Sequence, residues 1–94
     1  MPTLQLRITG RVQGVGYRAS LMEAALVRGL RGWVRNRRDG SVEAVIHGAA
    51  DDCDALVAWA YRGPPAARVA AVAVVPLDAA PAELPPGFEC RPTA

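Results

Sequence analysis

The residues with the clearest chemical potential lie between positions 10 and 18, where three glycines precede an arginine. Gly10, Gly14 and Gly16 can bring backbone N–H groups close to a ligand, because glycine accepts positive φ angles. Arg18 follows at the predicted start of a helix, where its guanidinium can donate two hydrogen bonds to one anion. The layout of strand, glycine-rich turn and helix N-terminus predicts a site for a phosphate-sized anion. A tight strand-to-helix turn without a ligand is the alternative interpretation.

The same stretch limits the reaction that such a site can support. It contains no Asp, Glu, His, Cys, Ser or Lys, so it supplies neither a nucleophile nor a general base. The reaction must therefore need neither a covalent intermediate nor a protonated leaving group. Positioning and charge stabilisation then carry the catalysis. A Walker A loop is excluded because the chain has no lysine, and the glycine spacing differs from that of a dinucleotide-binding loop.

Two motifs, in order along the chain, resemble those of a known family. Residues 10–18 read GRVQGVGYR and match the acylphosphatase signature G-x-V-Q-G-V-x-[FY]-R at every fixed position. Residues 32–36 read GWVRN and match the second motif of that family, G-[WY]-V-x-N, with the D-G turn following at Asp39-Gly40. The chain therefore resembles the acylphosphatase family, most specifically over residues 10–18 and 32–48.

This resemblance implies an enzyme that hydrolyses the carboxyl–phosphate bond of acyl phosphates to a carboxylate and inorganic phosphate, with no cofactor and no metal. It implies that Arg18 binds the phosphate, that Asn36 orients the nucleophilic water, and that a phosphate oxygen of the substrate takes the proton. The implied catalytic residues are Arg18 and Asn36, and the implied phosphate-binding residues are Gln13, Gly14, Val15, Gly16, Tyr17 and Arg18.

The residue type at position 36 agrees with the implied role. The amide oxygen of Asn36 can accept a hydrogen bond from water, and its neutrality avoids the repulsion that a carboxylate would exert on a phosphate. The competing interpretation is a strand-end residue that hydrogen-bonds the following turn. Arg11 and Arg35 flank the two motifs and are interpreted as solvated charges, with substrate steering as the alternative.

Hydrophobic periodicity and turn signals predict an α+β fold with the order βαββαβ and a short C-terminal edge strand. The predicted strands cover residues 3–9, 30–37, 42–47, 68–75 and 88–91, and the predicted helices cover residues 18–28 and 51–62. This order is typical of the ferredoxin-like sandwich, in which two helices pack on one face of an antiparallel sheet. The register of the last strand cannot be read from the sequence.

The periodicity also predicts which side of each element is buried. In the second strand, alternation places Asn36 on the same apolar face as Val34. The predicted buried stripe of the first helix is Met22, Ala25, Leu26 and Gly29, and that of the second helix is Cys53, Leu56, Val57 and Ala60.

Length and charge favour a small enzyme with an anionic substrate. The 94 residues predict one domain, spanning 1–94, with a net charge of +2. Residues 1–47 hold eight arginines and three acids, a charge of +5, whereas residues 48–94 hold three arginines and six acids, a charge of −3. The anion loop lies in the positive half, which would concentrate an anionic substrate. Cys53 and Cys90 form no zinc-binding pattern and are predicted to be reduced thiols.

Two other classes of function remain as alternatives. The chain could be a non-catalytic anion- or nucleic-acid-binding module of the same fold, but its five aromatic residues form no RNA-recognition pattern. It could also be an acylphosphatase-like domain that serves a larger carbamoyl-transfer system, and the absence of zinc-finger cysteines after it disfavours this. No apolar run approaches the ~20 residues of a membrane span, and no signal peptide is evident. A cytoplasmic monomer that binds neither nucleic acid nor membrane is therefore expected.

Overall fold

The chain alternates strands and helices in the predicted order. The computed structural model describes residues 1–78 and 83–94. Its strands are β1 (Thr3–Arg11), β2 (Arg31–Asn36), β3 (Val42–His47), β4 (Arg68–Pro76) and β5 (Phe88–Cys90), and its helices are α1 (Tyr17–Val27) and α2 (Ala50–Arg62). The α+β class and the βαββαβ order with a short C-terminal strand are confirmed. Within these two ranges, no helix is both long enough and apolar enough to cross a bilayer.

The five strands form one sheet in the order β4-β1-β3-β2-β5. The four longer strands pair antiparallel with their neighbours, as predicted. The edge strand β5 differs, because it runs parallel to β2, so the sheet is mixed and not wholly antiparallel. The chain leaves β4 at one edge of the sheet and joins β2 at the other. This pairing places Phe88 opposite Gly32 and Cys90 opposite Val34.

The helices bury one face each against the sheet. Tyr17, Leu21 and Ala25 form the buried side of α1, at a spacing of four residues. The predicted stripe of α1 is therefore partly wrong: Ala25 belongs to it, but Leu26 is 51% exposed. Since α1 starts with Tyr17 already inside the core, the packed face follows from that residue. The buried face of α2 agrees with the prediction for Cys53, Leu56 and Ala60, with Val57 partly buried beside them.

The sheet face opposite the helices holds a buried carboxylate. Glu43 accepts hydrogen bonds from Gln5 Nε2 at 2.6 Å, Arg35 Nε at 2.8 Å and Arg37 Nη1 at 3.1 Å. Burial opposes the ionisation of Glu43, but these donors outweigh it and hold its pKa below the ordinary value. The network joins β1, β2 and β3 near the end of β2, which is where Asn36 lies on the opposite face.

Candidate active site

The N-terminus of α1 is open to an external anion. Gly16 precedes the helix in the left-handed conformation, with φ 78° and ψ 16°. No side chain caps this terminus, and the first turn contains no acidic residue. The first backbone N–H groups of an α-helix have no partner inside the helix, and the helix dipole adds partial positive charge there. The start of α1 therefore combines free donors with a positive potential.

A pocket of about 260 Å³ lies at this helix terminus. It brings together residues from the loop, from α1, from the end of β2 and from β5. The lining residues are Val12, Gly14, Gly16, Tyr17, Arg18, Ala19, Asn36 and Cys90. The residues of the two sequence motifs that could bind an anion and a water thus face one cavity.

Arg18 is the cation of the pocket, and it is not engaged elsewhere. Within residues 1–78 and 83–94 its guanidinium takes part in no ion pair and no side-chain hydrogen bond. Five other arginines are paired with carboxylates: Arg7, Arg28, Arg35, Arg37 and Arg91. Arg18 is partly exposed at the start of α1, so its donors are available to a ligand in the pocket.

Asn36 is the last residue of β2, and its backbone is held from both sides. Its carbonyl accepts a hydrogen bond from the N–H of Ala94 at 3.1 Å, and the N–H of Arg38 donates to the carbonyl of Ala94 at 2.9 Å. The C-terminal residue therefore brackets Asn36 along the outer edge of β2. The side-chain Oδ1 is buried and accepts no hydrogen bond from the described part of the protein. A buried acceptor without a protein partner needs another donor, and water is one.

Gln13 has a structural contact that the sequence did not indicate. Its Nε2 donates to the carbonyls of Arg37 at 2.7 Å and Ser41 at 2.9 Å, which ties the loop to the turn after β2. Its side chain is therefore committed to the protein. Val15 packs against the core, and neither Gln13 nor Val15 lines the pocket.

Tyr17 contributes backbone to the pocket and its side chain to the core. Its hydroxyl donates to the carbonyl of Ala60 at 2.7 Å, and its ring lies 5.4 Å from that of Trp59. Burial raises the pKa of the Tyr17 hydroxyl, which stays neutral. Tyr17 thereby fixes the start of α1 against α2.

Gly10 plays a different part from the other two glycines of the loop. It lies within β1, at φ 119°, where the register with β4 shifts. A Cβ atom there would meet the backbone N of Ala70 at 2.6 Å, so only glycine fits. Of the three glycines, Gly14 and Gly16 line the pocket, and Gly10 serves the pairing of β1 with β4.

The charges around the pocket are arranged to leave it positive. Among the residues that the structure describes, none with a carboxylate side chain lines the pocket. Asp39 accepts hydrogen bonds from the N–H and the hydroxyl of Ser41, which lower its pKa. Arg35 is bound to Glu43 and stacks 4.7 Å above the Trp33 ring, on the other face of the sheet. In the described ranges, no three His, Cys, Asp or Glu side chains are grouped as metal ligands.

Cys90 is a pocket residue that the sequence did not reveal. It reaches the pocket because β5 pairs with β2 in a register that places Cys90 opposite Val34. No local pattern specifies that register. The expectation of reduced thiols agrees with the structure, in which Cys90 is exposed, Cys53 is buried and both are free.

A second depression has different chemistry. A groove of about 700 Å³ runs between α1 and α2 and shares no lining residue with the pocket. It holds Glu23, Arg28 and Arg62, and neither Arg18 nor Asn36 borders it. The pocket at the start of α1 is the candidate site, because it joins free helix N–H groups to Arg18, which is unpaired among the described residues.

Comparisons with known proteins agree over nearly the whole chain. The sequence model of the acylphosphatase family matches residues 4–90. A protein named acylphosphatase from an Azoarcus species is 58% identical over 88 residues, which cover 94% of this chain and 87% of that protein. Another of that name from an Acidovorax species is 55% identical over 91 residues, 97% of this chain and 91% of that protein. The crystal structure of acylphosphatase from Bacillus subtilis has a TM-score of 0.90 and 31% identity, covering 97% of this chain and 99% of that one.

Proposed function

The chain belongs to the acylphosphatase family and hydrolyses acyl phosphates, and we propose that Arg18 and the start of α1 bind the phosphoryl group while Asn36 orients the attacking water. One observation carries this division of roles. The unpaired Arg18, the uncapped N-terminus of α1 and Asn36, whose buried Oδ1 has no partner among the described residues, all border a single pocket.

The phosphoryl group is bound by donors of two kinds. The guanidinium of Arg18 forms charge-assisted hydrogen bonds, which contribute roughly 1.5–3 kcal/mol each. The backbone N–H groups of the loop and of the first turn of α1 supply the other hydrogen bonds. Gln13, Val15 and Tyr17 bind the phosphate through their backbone N–H groups and not through their side chains. Because these donors are fixed by the fold, they do not have to reorganise as charge moves in the transition state.

Asn36 provides the acceptor that places the water. A water that donates a hydrogen bond to Oδ1 keeps a lone pair free to attack the phosphorus atom. The backbone hydrogen bonds of Ala94 hold the end of β2, which carries Asn36. The amide is neutral, so it adds no repulsion to a substrate that already carries negative charge.

The proton balance needs no protein base. The water oxygen forms a bond to phosphorus, the bond between phosphorus and the acyl oxygen breaks, and the carboxylate leaves with the electron pair. The proton of the water passes to a phosphate oxygen of the substrate. This route agrees with a pocket that no carboxylate or histidine lines.

The setting of the enzyme belongs to the same proposal. We propose a single domain over residues 1–94 that works as a cytoplasmic monomer on small acyl phosphates, binds inorganic phosphate as its product, and uses no cofactor, nucleic acid or membrane. The relatives match over 87% and 91% of their own lengths, which supports a free-standing enzyme over a domain of a larger transfer system.

Hydrolysis of benzoyl phosphate by two variants tests the roles. Arg18→Ala should lower kcat/KM about a thousandfold and weaken inhibition by inorganic phosphate, because two charge-assisted hydrogen bonds are lost. Asn36→Ala should also lower turnover, but inhibition by phosphate should persist, since the donors remain. Arg68→Ala, an exposed arginine on β4, is the control for charge and should leave both constants near wild type.

The outcomes separate the alternatives. Equal loss of phosphate inhibition in the Arg18 and Asn36 variants would contradict the division of roles. Full activity in either variant would remove that residue from the site. A wild-type protein that binds phosphate without hydrolysing the substrate would instead favour the anion-binding module.

A further inference from the structure

The pocket has a neutral side that binding of the phosphoryl group does not use. Its donors are Arg18 and the N–H groups of the loop and of α1, and they suit the phosphoryl end of the substrate. Among the other lining residues, Val12, Ala19 and Cys90 have side chains that offer only carbon or sulfur atoms. Val12 is only 1% exposed and forms part of the core, so it can contribute little surface to a ligand. The acyl end of the substrate therefore has few neighbours to contact.

Cys90 and Ala19 are the exposed members of this neutral side, and Cys90 has the larger side chain. It pairs with Val34, two residues before Asn36 on the adjacent strand, so it lies on the same face of the sheet as Asn36. Its Sγ lies 3.8 Å from the Sδ of Met22 on α1. The thiol and the thioether form a continuous polarisable surface between β5 and α1, and such surfaces adapt well to alkyl and aromatic groups.

We propose that Cys90, extended by Met22, forms the acyl-group subsite and determines which acyl phosphates the enzyme prefers. This inference rests on the proposed function, because it assumes that Arg18 and α1 hold the phosphoryl end. The acyl group then lies against the sulfur atoms at the open side of the pocket. An apolar or aromatic acyl group gains contact there, whereas a very small one reaches it little.

Benzoyl phosphate and acetyl phosphate test this subsite, since they share the phosphoryl group and differ only in the acyl end. The quantity to measure is the ratio of their kcat/KM values. In Cys90→Phe the bulky ring fills the subsite, and the benzoyl-to-acetyl ratio should fall about tenfold, the discrimination that a hydrophobic pocket typically achieves. In Cys90→Ser the side chain keeps its size but becomes polar, and the ratio should fall about threefold.

The neighbouring residue provides the matched control. Glu89 is exposed on the same strand, pairs with Trp33 and points to the opposite face of the sheet, so Glu89→Phe makes a comparable change to β5 away from the pocket. It should leave the ratio unchanged. The inhibition constant of inorganic phosphate should stay at its wild-type value in all three variants, because the phosphate site is not altered.

Each result decides the proposal. A lowered ratio in Cys90→Phe and Cys90→Ser, with constant phosphate inhibition, supports it. An unchanged ratio in the near-isosteric Cys90→Ser and in a folded Cys90→Phe overturns it while leaving the roles of Arg18 and Asn36 intact. Weakened phosphate inhibition in the Cys90 variants also overturns it, because Cys90 would then belong to the phosphate end. Full activity in Arg18→Ala would overturn the proposed phosphate-binding role of Arg18, and the subsite with it.

Discussion

The two helices of this fold begin in opposite electrostatic settings. Neither has a side-chain hydrogen bond at its N-cap. Helix α2 follows Ala49, which has an extended backbone, and carries Asp51 and Asp52 in its first turn. Helix α1 follows the left-handed Gly16 and carries no acid there. The sequence thus places acidic side chains in the first turn of α2 and none in the first turn of α1.

This difference shows which features allow the N-terminus of a helix to bind an anion. The dipole and the free N–H groups are common to both helices, so they do not by themselves select a site. At α2 the aspartates occupy the positive end, and Asp52 also pairs with Arg28 at a distance of 3.7 Å. The first turn of α1 has no acidic residue, and Arg18 adds a further positive charge beside the pocket.

The largest effect is expected when α1 receives an acidic residue at the position where α2 has one. Ala19 lies third in α1, as Asp52 lies third in α2, and it lines the pocket. Ala19→Asp should lower kcat/KM for benzoyl phosphate about a hundredfold and weaken phosphate inhibition, since a like charge a few ångströms from the phosphate costs about 2–4 kcal/mol. Ala50→Asp, which adds the same charge to the start of α2, serves as the control. Equal effects of the two substitutions would show that position does not matter.

The buried carboxylate of Glu43, on the sheet face opposite both helices, should affect stability and its pH dependence. Glu43→Gln should lower the free energy of unfolding at pH 7 by about 2 kcal/mol, because the charge-assisted hydrogen bonds from Arg35 and Arg37 are weakened. The folded-state pKa of Glu43 lies below its ordinary value of 4.5, so its stabilisation is present above that pH and is lost as the pH falls. Urea unfolding should therefore show a smaller gap between variant and wild type at pH 3 than at pH 7. A gap that persists unchanged at pH 3 would contradict this.

A smaller effect is expected from a change to Gly16, whose left-handed backbone precedes α1. A Cβ atom on Gly16 meets no neighbour within 4 Å, so the cost of Gly16→Ala is conformational. Alanine at φ 78° should lower the free energy of unfolding by about 1 kcal/mol and reduce turnover by displacing the first N–H groups. Gly16→Asn should recover part of both losses, since asparagine tolerates this conformation better. Thermal unfolding and steady-state kinetics measure the two effects, and full activity in Gly16→Ala would rule out a need for this geometry.

The smallest effect is expected where α2 loses its own acid. Asp52→Ala should lower the free energy of unfolding by about 0.5 kcal/mol, through a weaker interaction with the helix dipole and the loss of the partly exposed ion pair with Arg28. Because α2 starts away from the pocket, kcat/KM for benzoyl phosphate should not change. Denaturant unfolding at low and high salt would check the first part, since screening should remove most of the difference.

Much of the candidate site could be predicted from local signals. Glycine at positions 14 and 16 and arginine at 18 indicated an anion loop between a strand and a helix, and strand alternation placed Asn36 on the helix side of the sheet. These signals depend on backbone preferences and side-chain periodicity, which act within a few residues. The structure gathers Gly14, Gly16, Arg18 and Asn36 around one pocket.

Other features depended on contacts between residues distant in sequence. The side-chain tie of Gln13 to the carbonyls of Arg37 and Ser41, and the bracketing of Asn36 by Ala94, join segments that no local pattern connects. The buried face of α1 was predicted only in part, because the packing of Tyr17 against Trp59 and Ala60 decides which side of the helix turns inward.

The sequence by itself determined the order of the elements and the positions of the glycines, of Arg18 and of Asn36 within them, because helix period, strand period and glycine turns are properties of the local chain. Only the tertiary structure decided that β5 runs parallel to β2 and in which register. A shift of one residue would turn Phe88 out of the core and Cys90 away from the pocket. That choice depends on the burial of Phe88 in a core whose residues are far apart in the sequence, so it exists only once the sheet has assembled.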